Sequence, residues 1–419
     1  MIKLMDNIAK ITENKFKNKY FRYGILFAML FFTSGIALGE YAVVKLMKYI
    51  YFSALTFFVT IYILKDKHLR EKLLGFNVLF LSVMAFSILS SIWSVYHLET
   101  LKNAYFLCIT TIPAIYIGIT YDKEEFFHMI FIWFLALGII NLYISIIGLP
   151  GTIQLEEMRY AFRPIKGLFK HRNTLGLYSV LGAGISVWMY INSEKNKKRR
   201  KMSVACMVIC LMLIYLSKSM TSLLLLPVMI FLVLACRNRK LASMTLIFII
   251  PGIILILLII VTSPPFYVKI LERMGRDASL TSRSVIWDGV LRGIVAKPFL
   301  GFGFSAFLTA NVYGKCYIRN IYGSIPPSAH NGFLELMVDF GGLCTIFIIG
   351  MLIMTLRKMK KLNLHIKDNN YLSFIISFVV YVFLFNLVES PIIKQFSTIY
   401  IFLVVFSNIL QREEKESSL

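Results

Sequence analysis

Charged residues are scarce in this sequence. Only 16% of its 419 residues are Asp, Glu, Lys or Arg, and 58% are hydrophobic, whereas about a quarter of a soluble domain is charged. Apolar runs of about 20 residues, long enough to cross the hydrocarbon core of a bilayer, recur along the chain. The composition excludes a soluble enzyme, a secreted disulfide scaffold and a coiled coil. It predicts an all-α polytopic membrane protein.

Among the charged residues, acidic ones are the fewer, with 22 Asp and Glu against 45 Lys and Arg. In a membrane protein this excess indicates basic cytoplasmic loops rather than nucleic-acid binding. We therefore expect the lipid bilayer, and no nucleic acid, among its partners. The acids predicted to lie outside are scattered, and they do not supply the convergent carboxylates that a Mg²⁺ or Mn²⁺ site needs. The sequence thus predicts no metal and no other cofactor.

Cysteine is also sparse, with six residues and no C-x-x-C pair or zinc-type spacing with histidine. All but Cys316 sit in or beside predicted spans, so an intramolecular disulfide on the outer side is excluded. The sequence contains neither an internal repeat nor a low-complexity tract.

Hydropathy predicts twelve transmembrane helices, at about 24–39, 43–64, 73–93, 101–120, 127–148, 173–192, 202–217, 222–236, 241–262, 332–356, 371–388 and 395–410. The polar, basic N-terminal stretch has no convincing cleavage motif, so we expect it to be cytoplasmic. The basic connections then alternate as the positive-inside rule requires. They are "KDKHLREK", "SEKNKKRRK", "RNRK" and "RKMKKLNLHIKD", and the C-terminal tail is also expected inside.

Three regions follow from this topology. Residues 1–262 hold helices 1 to 9, with an external loop at about 149–172. Residues 263–331 form one long external loop, in which "FYVKILERMG" and "SRSVIWDGVLRGIVAKP" have the apolar spacing of short amphipathic helices. Residues 332–419 hold helices 10 to 12 and the tail.

The external loop at 150–172 breaks the positive-inside rule, because it carries five basic residues against two acids. One explanation is that strong cytoplasmic charges override this weak violation. The other is that external arginines are kept for an anion, and phosphate is the anion that arginine commonly grips through two hydrogen bonds.

Two polar clusters are predicted at the outer ends of spans. "GLFKHRNTLG" places His171, Arg172 and Asn173 at the start of the sixth span. It is either an anion site at a helix N-terminus or an ordinary basic cap at the membrane surface. In "SKSMTS" the hydroxyls either satisfy the backbone of a tight turn or, with Ser219, help to bind the substrate. Lys218 adds an external positive charge and is a candidate for the same substrate site.

A third cluster, "GRDASLTSRSVIW", holds two arginines seven residues apart. Arg276 and Arg283 would share a face if one helix held both, but Gly-Arg-Asp resembles a turn, so Arg283 is the better candidate. Trp287 lies one turn beyond it. This tryptophan would either stack beneath a sugar or anchor in the membrane interface.

The fourth cluster, "PPSAHNGFLEL", places His330 and Asn331 at the start of the tenth span. An imidazole suits proton transfer near neutral pH, although a purely structural histidine is the alternative. Glu335 follows five residues later, and Glu389 closes the eleventh span on the same side. Ionisable groups at spans favour a functional role, and the residues do not decide which of the three removes a proton.

Several arginines, one histidine and few acids on the outer face suit metal-free cleavage of a phosphate ester. The arginines would stabilise a diphosphate leaving group, and a histidine or glutamate would take a proton from an incoming hydroxyl. Because the site is predicted outside, the donor would have to reach it already attached to a lipid.

The motifs "GLFKHRNTLG", "SKSMTS", "LTSRSVIW", "PFLGFGFSAF" and "SAHNGFLEL", in this order over about residues 160–345, resemble the O-antigen ligase/polymerase family of bacterial membrane glycosyltransferases. The resemblance implies a GT-C-like fold with a long periplasmic loop over a cavity, an undecaprenyl-diphosphate-linked oligosaccharide donor, and metal-free transfer with inversion. It implies that Arg172 and Arg283 bind the diphosphate and that His330 activates the acceptor or positions the donor. Arg172 stands where members often have Lys, and Ser282 where many have Gly.

Three functions stay open on this sequence. The first is a polymerase that joins repeat units of a surface polysaccharide, which "SKSMTS" and "GFGFSAF" favour slightly. The second is a ligase whose acceptor is the lipid A-core. The third is a flippase for lipid-linked oligosaccharides, although such a transporter would place its polar groups near the bilayer midplane. The family implies the bacterial inner membrane, a periplasmic active site, and a chain-length regulator as a candidate partner.

Overall fold

The computed structural model describes residues 16, 18–149, 151–153, 163–238, 241, 244, 283–308, 328–365, 370–390 and 392–417. Within these ranges the chain forms thirteen α-helices and no β-strand, only two isolated bridges. The helices are α1 (Lys19–Thr33), α2 (Ala42–Lys65), α3 (Lys67–Phe76), α4 (Val78–Leu89), α5 (His97–Thr120), α6 (Lys123–Ile147), α7 (Arg172–Ile191), α8 (Lys197–Ser217), α9 (Met220–Ala235), α10 (Arg283–Ala296), α11 (Gly332–His365), α12 (Asn370–Asn386) and α13 (Thr398–Ser417).

Five of these helices, α2 and α5 to α8, are long and apolar enough to cross a membrane, and the bent pair α3–α4 would make a sixth. Helices α9 and α12 are apolar but shorter. The prediction of an all-helical membrane protein is therefore confirmed. The count of twelve spans, the GT-C-like fold and the three-region division stay predictions, and most of the predicted span 241–262 lies outside the described residues.

Two predicted spans differ from the observed helices. The span predicted at 24–39 is helical only to Thr33, because the chain turns at Gly35, whose φ is +74°. The span predicted at 73–93 is broken at Asn77, where α3 and α4 meet at 74°. The Asn77 side chain exchanges two amide hydrogen bonds of 3.0 and 2.8 Å with Asn408 on α13. This buried polar pair fixes the bend against the bundle.

Helix α7 is the central element, since 78% of its most apolar stretch is buried. It packs against α8, α9 and α12, and small residues permit the close approach. A Cβ on Gly182 would lie 2.7 Å from the Cys210 sulfur, so a larger residue would force α8 away. Helices α2 and α8 are the outer ones, only 28% and 33% buried, and their exposed apolar side chains suit contact with lipid tails.

The two ends of the bundle differ in chemistry. At one end Arg22 and Lys123 form ion pairs with Glu125 (3.3 Å) and Glu413 (2.6 Å). At the other, here called the site end, α7, α9 and α11 all begin. Because consecutive long helices run in alternating directions, the polar clusters of the sequence are brought to the site end. Which end faces the cytoplasm stays a prediction.

The motif "PFLGFGFSAF" packs across a kink in α11. The kink lies at Gly341, with φ +74° and ψ 170°, a conformation that glycine adopts without strain. The amides of Phe302 and Gly303 donate to the carbonyls of Val338 and Asp339 at 3.0 and 2.9 Å. A Cβ on Gly341 would collide with the Phe299 carbonyl. Glycine is therefore needed here for both conformation and contact.

The amphipathic helix predicted within the long external loop is present as α10, which packs against α11. The other predicted one, "FYVKILERMG", lies outside the described residues.

Candidate active site at the start of α7, α9 and α11

The loop before α7 is held by two neighbouring elements, α6 and the α1–α2 connection. Gly167 has φ +59°, and the next amide, that of Leu168, donates to Asn141 on α6 at 2.8 Å. Lys170 forms an ion pair with Glu40 in the α1–α2 connection. Hydrogen bonding to Lys170, and then to Lys45, holds the pKa of the Glu40 carboxyl below its usual range. The basic motif is thus fixed in place ahead of α7.

Helix α7 begins with two of the predicted site residues. His171 is the N-cap, and its Nδ1 accepts from the Asn173 amide at 3.1 Å. Arg172 follows and is only 3% exposed. Its guanidinium donates to the Lys218 carbonyl at 3.0 Å, so it contacts the turn before α9. The first two predicted clusters therefore meet in the structure.

The turn between α8 and α9 carries the second cluster. Lys218 adopts a left-handed conformation (φ +52°) at the end of α8, and its ammonium lies 4.5 Å from the centre of the Tyr215 ring. Ser219 is the N-cap of α9, accepting from the Ser222 amide, and its hydroxyl donates to Asn173 Oδ1 at 3.1 Å. Ser219 therefore both stabilises the turn and contacts the first cluster.

The approach to Ser219 requires a glycine on α7. A Cβ on Gly176 would lie 3.0 Å from the Ser219 Cβ and would collide with the Ser222 hydroxyl. Gly176 is the last residue of the motif "GLFKHRNTLG". Its lack of a side chain lets Asn173, three residues earlier, contact Ser219 at the start of α9.

The fourth cluster joins the same group through Glu389. The imidazole Nδ1 of His330 lies 3.2 Å from Glu389 Oε2, and Glu389 Oε1 accepts from Asn173 Nδ2 at 3.4 Å. His330 itself has φ +50°, a left-handed conformation that is uncommon for a residue with a side chain. Strained residues of this kind cluster at functional sites. Both side chains remain partly accessible, at 29% and 22%.

The residues around His330 hold its backbone in place. Asn331 is buried, and its side-chain oxygen accepts from the amides of Phe333 and Leu334, which caps α11. Glu335 accepts from the Ala329 amide at 3.0 Å, and Trp287 on α10 donates to the Ala329 carbonyl at 3.0 Å. The carboxylate that faces His330 is thus that of Glu389, while Glu335 and Trp287 bind the preceding segment.

Three helix N-termini converge on this group, because Asn173 lies in the first turn of α7, Ser219 caps α9 and Asn331 caps α11. Each N-terminus carries a partial positive charge of about half an elementary unit. Together with the buried Arg172, they make the site end suited to an anion.

The structure brings together seven of the predicted site residues: His171, Arg172, Asn173, Lys218, Ser219, His330 and Glu389. Helix α10 begins at Arg283, and Arg276 lies outside the described residues. The roles assigned to all of these residues stay predictions. Within the described ranges, no group of three or more His, Cys, Asp or Glu side chains is placed to hold a metal.

Two buried polar residues, one on α11 and one on α12, were not anticipated. Asp339 on α11 accepts from the amides of Ser305 and Phe307 at 3.0 and 3.3 Å. Asn386 on α12 is fully buried and lies against Gly332. The available signal was their occurrence within predicted spans, where a polar residue favours a functional role.

The family model described as O-antigen ligase matches residues 205–349. The match includes Lys218, Ser219, Arg283 and His330, while Arg172 and Glu389 lie outside it. No curated protein matches the chain. The family resemblance of the five motifs is therefore supported over the part of the chain that holds four of them.

Proposed function

We propose, from the premise that this chain belongs to the O-antigen ligase/polymerase family, that it is an inverting glycosyltransferase of a bacterial inner membrane. It moves a glycan from undecaprenyl diphosphate to an acceptor hydroxyl at the periplasmic face, without a metal ion. The observation that carries the proposal is the convergence of three helix N-termini and the buried Arg172 on the His330–Glu389 pair.

The positive groups suit the leaving group of this reaction. As the bond between the sugar C1 and the phosphate oxygen breaks, its electron pair passes to the diphosphate, whose negative charge grows. Helix N-termini and a guanidinium stabilise such charge. Arg172 would provide the fixed positive charge and Lys218 a second one, and Arg283 would contribute from α10. Asn173, Ser219 and His171 orient these groups.

The histidine suits the other half of the reaction. With Nδ1 protonated and directed at Glu389, the Nε2 lone pair of His330 accepts the proton of the acceptor hydroxyl. The acceptor oxygen then bonds to C1 opposite the departing diphosphate, which inverts the configuration. Glu389 orients the imidazole, as the carboxylate does in histidine–carboxylate pairs generally.

Repeat-unit polymerisation is the form of the reaction that we favour, on the motif likeness of "SKSMTS" and "GFGFSAF". Ligation to the lipid A-core shares every chemical step and differs in the acceptor alone. A flippase is the less favoured alternative, because the described polar cluster lies at one end of the bundle.

The deciding experiment is an analysis of what a strain lacking this chain accumulates. Single repeat units on the lipid A-core are expected if the chain polymerises them, and long chains stranded on the undecaprenyl carrier would indicate ligation. Loss of every carrier-linked glycan from the periplasm would overturn both and favour transport.

A further inference from the structure

A polar cavity lies close to the His330–Glu389 pair, because Gly332 and Ser390, near neighbours of these two residues in the chain, both line it. It has a volume of about 120 Å³ and is bounded by the first half of α11, the Phe304–Leu308 segment, the end of α12 and the α12–α13 connection. Its polar lining consists of Ser305, Glu335, Asp339, Asn386, Lys394 and Gln395. Ser390, the residue after Glu389, also lines it, so the cavity adjoins the carboxylate that is proposed to orient His330.

The cavity is lined by buried polar groups that have no hydrogen-bond partner among the described residues, and Asn386 is the clearest case. Its side chain is fully buried, yet neither its amide oxygen nor its amide nitrogen has a hydrogen-bond partner among the described residues. The buried Ser390 hydroxyl is likewise unpartnered within that part of the chain. Leaving such groups buried and unpaired costs free energy. A bound molecule that both donates and accepts hydrogen bonds would relieve this cost.

Glycine at position 332 lets Asn386 stand where it does. A Cβ on Gly332 would collide with the Asn386 amide. The first residue of α11 therefore leaves room for an amide that no described side chain binds.

The charge of the cavity selects among ligands. The described lining holds two carboxyl groups, Glu335 and Asp339, against Lys394, so it offers no excess of positive charge to a diphosphate. Their oxygens already accept backbone amides but keep lone pairs for further donors. Carboxylates, a free amide and a hydroxyl suit the many O–H groups of a sugar ring.

We propose that this cavity binds the acceptor sugar, a neutral or amino-substituted ring that offers several hydroxyls. The inference rests on the proposed function and specifies where the donor and the acceptor bind relative to His330. The donor's diphosphate lies on the Arg172 side, the acceptor lies on the Asn386 side, and the His330–Glu389 pair stands between them. An acceptor hydroxyl in the cavity then loses its proton to His330 as it attacks C1.

The test uses the full-length protein in proteoliposomes with two defined glycans. The donor is tritiated, carrier-linked glycan from the deletion strain. The acceptor is the same glycan released from its carrier by mild acid, which keeps its hydroxyls but has no diphosphate leaving group. Asn386→Leu is expected to raise the KM for the released glycan about tenfold or more, since each 1.4 kcal/mol lost is a factor of ten. The KM for the donor should stay within about twofold.

Two further variants guard against misfolding and general effects. Ser390→Ala removes one unpartnered hydroxyl without adding volume, and it should raise the acceptor KM in the same direction. Asn192→Leu, at the opposite end of α7, is the matched control and should change neither constant. An unchanged acceptor KM in both cavity variants, or a raised donor KM instead, overturns the inference.

A second readout separates this inference from the proposed function. A photoreactive benzoylphenylalanine at Leu308, which lines the cavity, should crosslink to the tritiated released glycan, whereas the same residue at the exposed Ile146 should not. Crosslinking that is absent at Leu308 contradicts the acceptor site. Crosslinking at Leu308, together with wild-type protein that transfers no glycan, contradicts the proposed function alone.

Discussion

The guanidinium of Arg172 donates to the backbone carbonyl of Lys218 at 3.0 Å, so the first residue of α7 holds the turn that leads into α9. Arg172 is almost fully buried. A single side chain thus joins two clusters that lie 46 residues apart in the sequence, and it brings a fixed positive charge to the place where two helices begin.

Replacing Arg172 tests whether that charge serves the reaction. Arg172→Ala should lower the rate of glycan transfer by about a hundredfold or more, because a preorganised donor to developing negative charge is lost. Arg172→Lys keeps the charge but not the planar fork, so its loss should be smaller. Transfer is measured in membranes with matched protein levels. Arg163→Ala, an exposed arginine of the same loop, is the control, and equal activity of Arg172→Ala and wild type would exclude the role.

The His330–Glu389 pair predicts two different losses. His330→Ala should lower transfer about 10²- to 10⁴-fold, the usual contribution of a positioned general base, with protein level intact. Glu389→Gln keeps the shape but removes the negative charge that holds the imidazole in its orientation, so its loss should be smaller. His68→Ala serves as the exposed control. Wild-type polymer output from His330→Ala would falsify the catalytic assignment.

Arg283 provides an independent test, because it lies on α10 rather than on α7. Arg283→Ala should abolish glycan transfer while leaving the amount of protein unchanged, since diphosphate binding loses a guanidinium. Arg292 on the same helix forms an exposed ion pair with Asp288 at 2.7 Å. Arg292→Ala is therefore the matched control and should transfer normally. If both variants behave alike, Arg283 has no special part in the reaction.

The sequence predicted most of the helices, because hydropathy and the positive-inside rule depend on local composition. It also placed His330, Asn331 and Glu389 at one end of the bundle. It left open which carboxylate faces the histidine, since Glu335 and Glu389 were both predicted at the same end of the bundle as His330. Only the fold decides this, because α12 ends beside α7 and brings Glu389 between Asn173 and His330.

The breaks in predicted spans had a different cause. Hydropathy averages over a window and takes no account of a single asparagine, so the bend at Asn77 was not predicted. The cavity beside Asn386 was missed for another reason, because segments distant in sequence come together to line it. Glycines such as Gly176 and Gly332 were visible in the motifs. Which side chain packs against each of them became clear only from the structure.

Chelation tests the electrostatic part of the proposal. If helix N-termini and guanidinium groups neutralise the departing diphosphate, EDTA should leave the transfer rate of purified protein unchanged within about twofold. Added Mg²⁺ or Mn²⁺ should not raise it. A loss of activity on chelation that is restored by either ion would show that the leaving group needs a divalent cation.

The buried pair of Asn77 and Asn408 predicts a coupled effect on stability. Each amide satisfies the other through two hydrogen bonds, and both side chains are fully buried. Asn77→Leu or Asn408→Leu leaves the remaining buried amide without its hydrogen-bond partner on the other helix. Each single substitution should therefore lower the free energy of unfolding by about 1–3 kcal/mol. The double variant leaves no orphaned amide, so its loss should be clearly less than the sum of the single losses. Reversible unfolding in detergent measures all four proteins, and additive losses would mean that the two amides do not stabilise the bend as a pair.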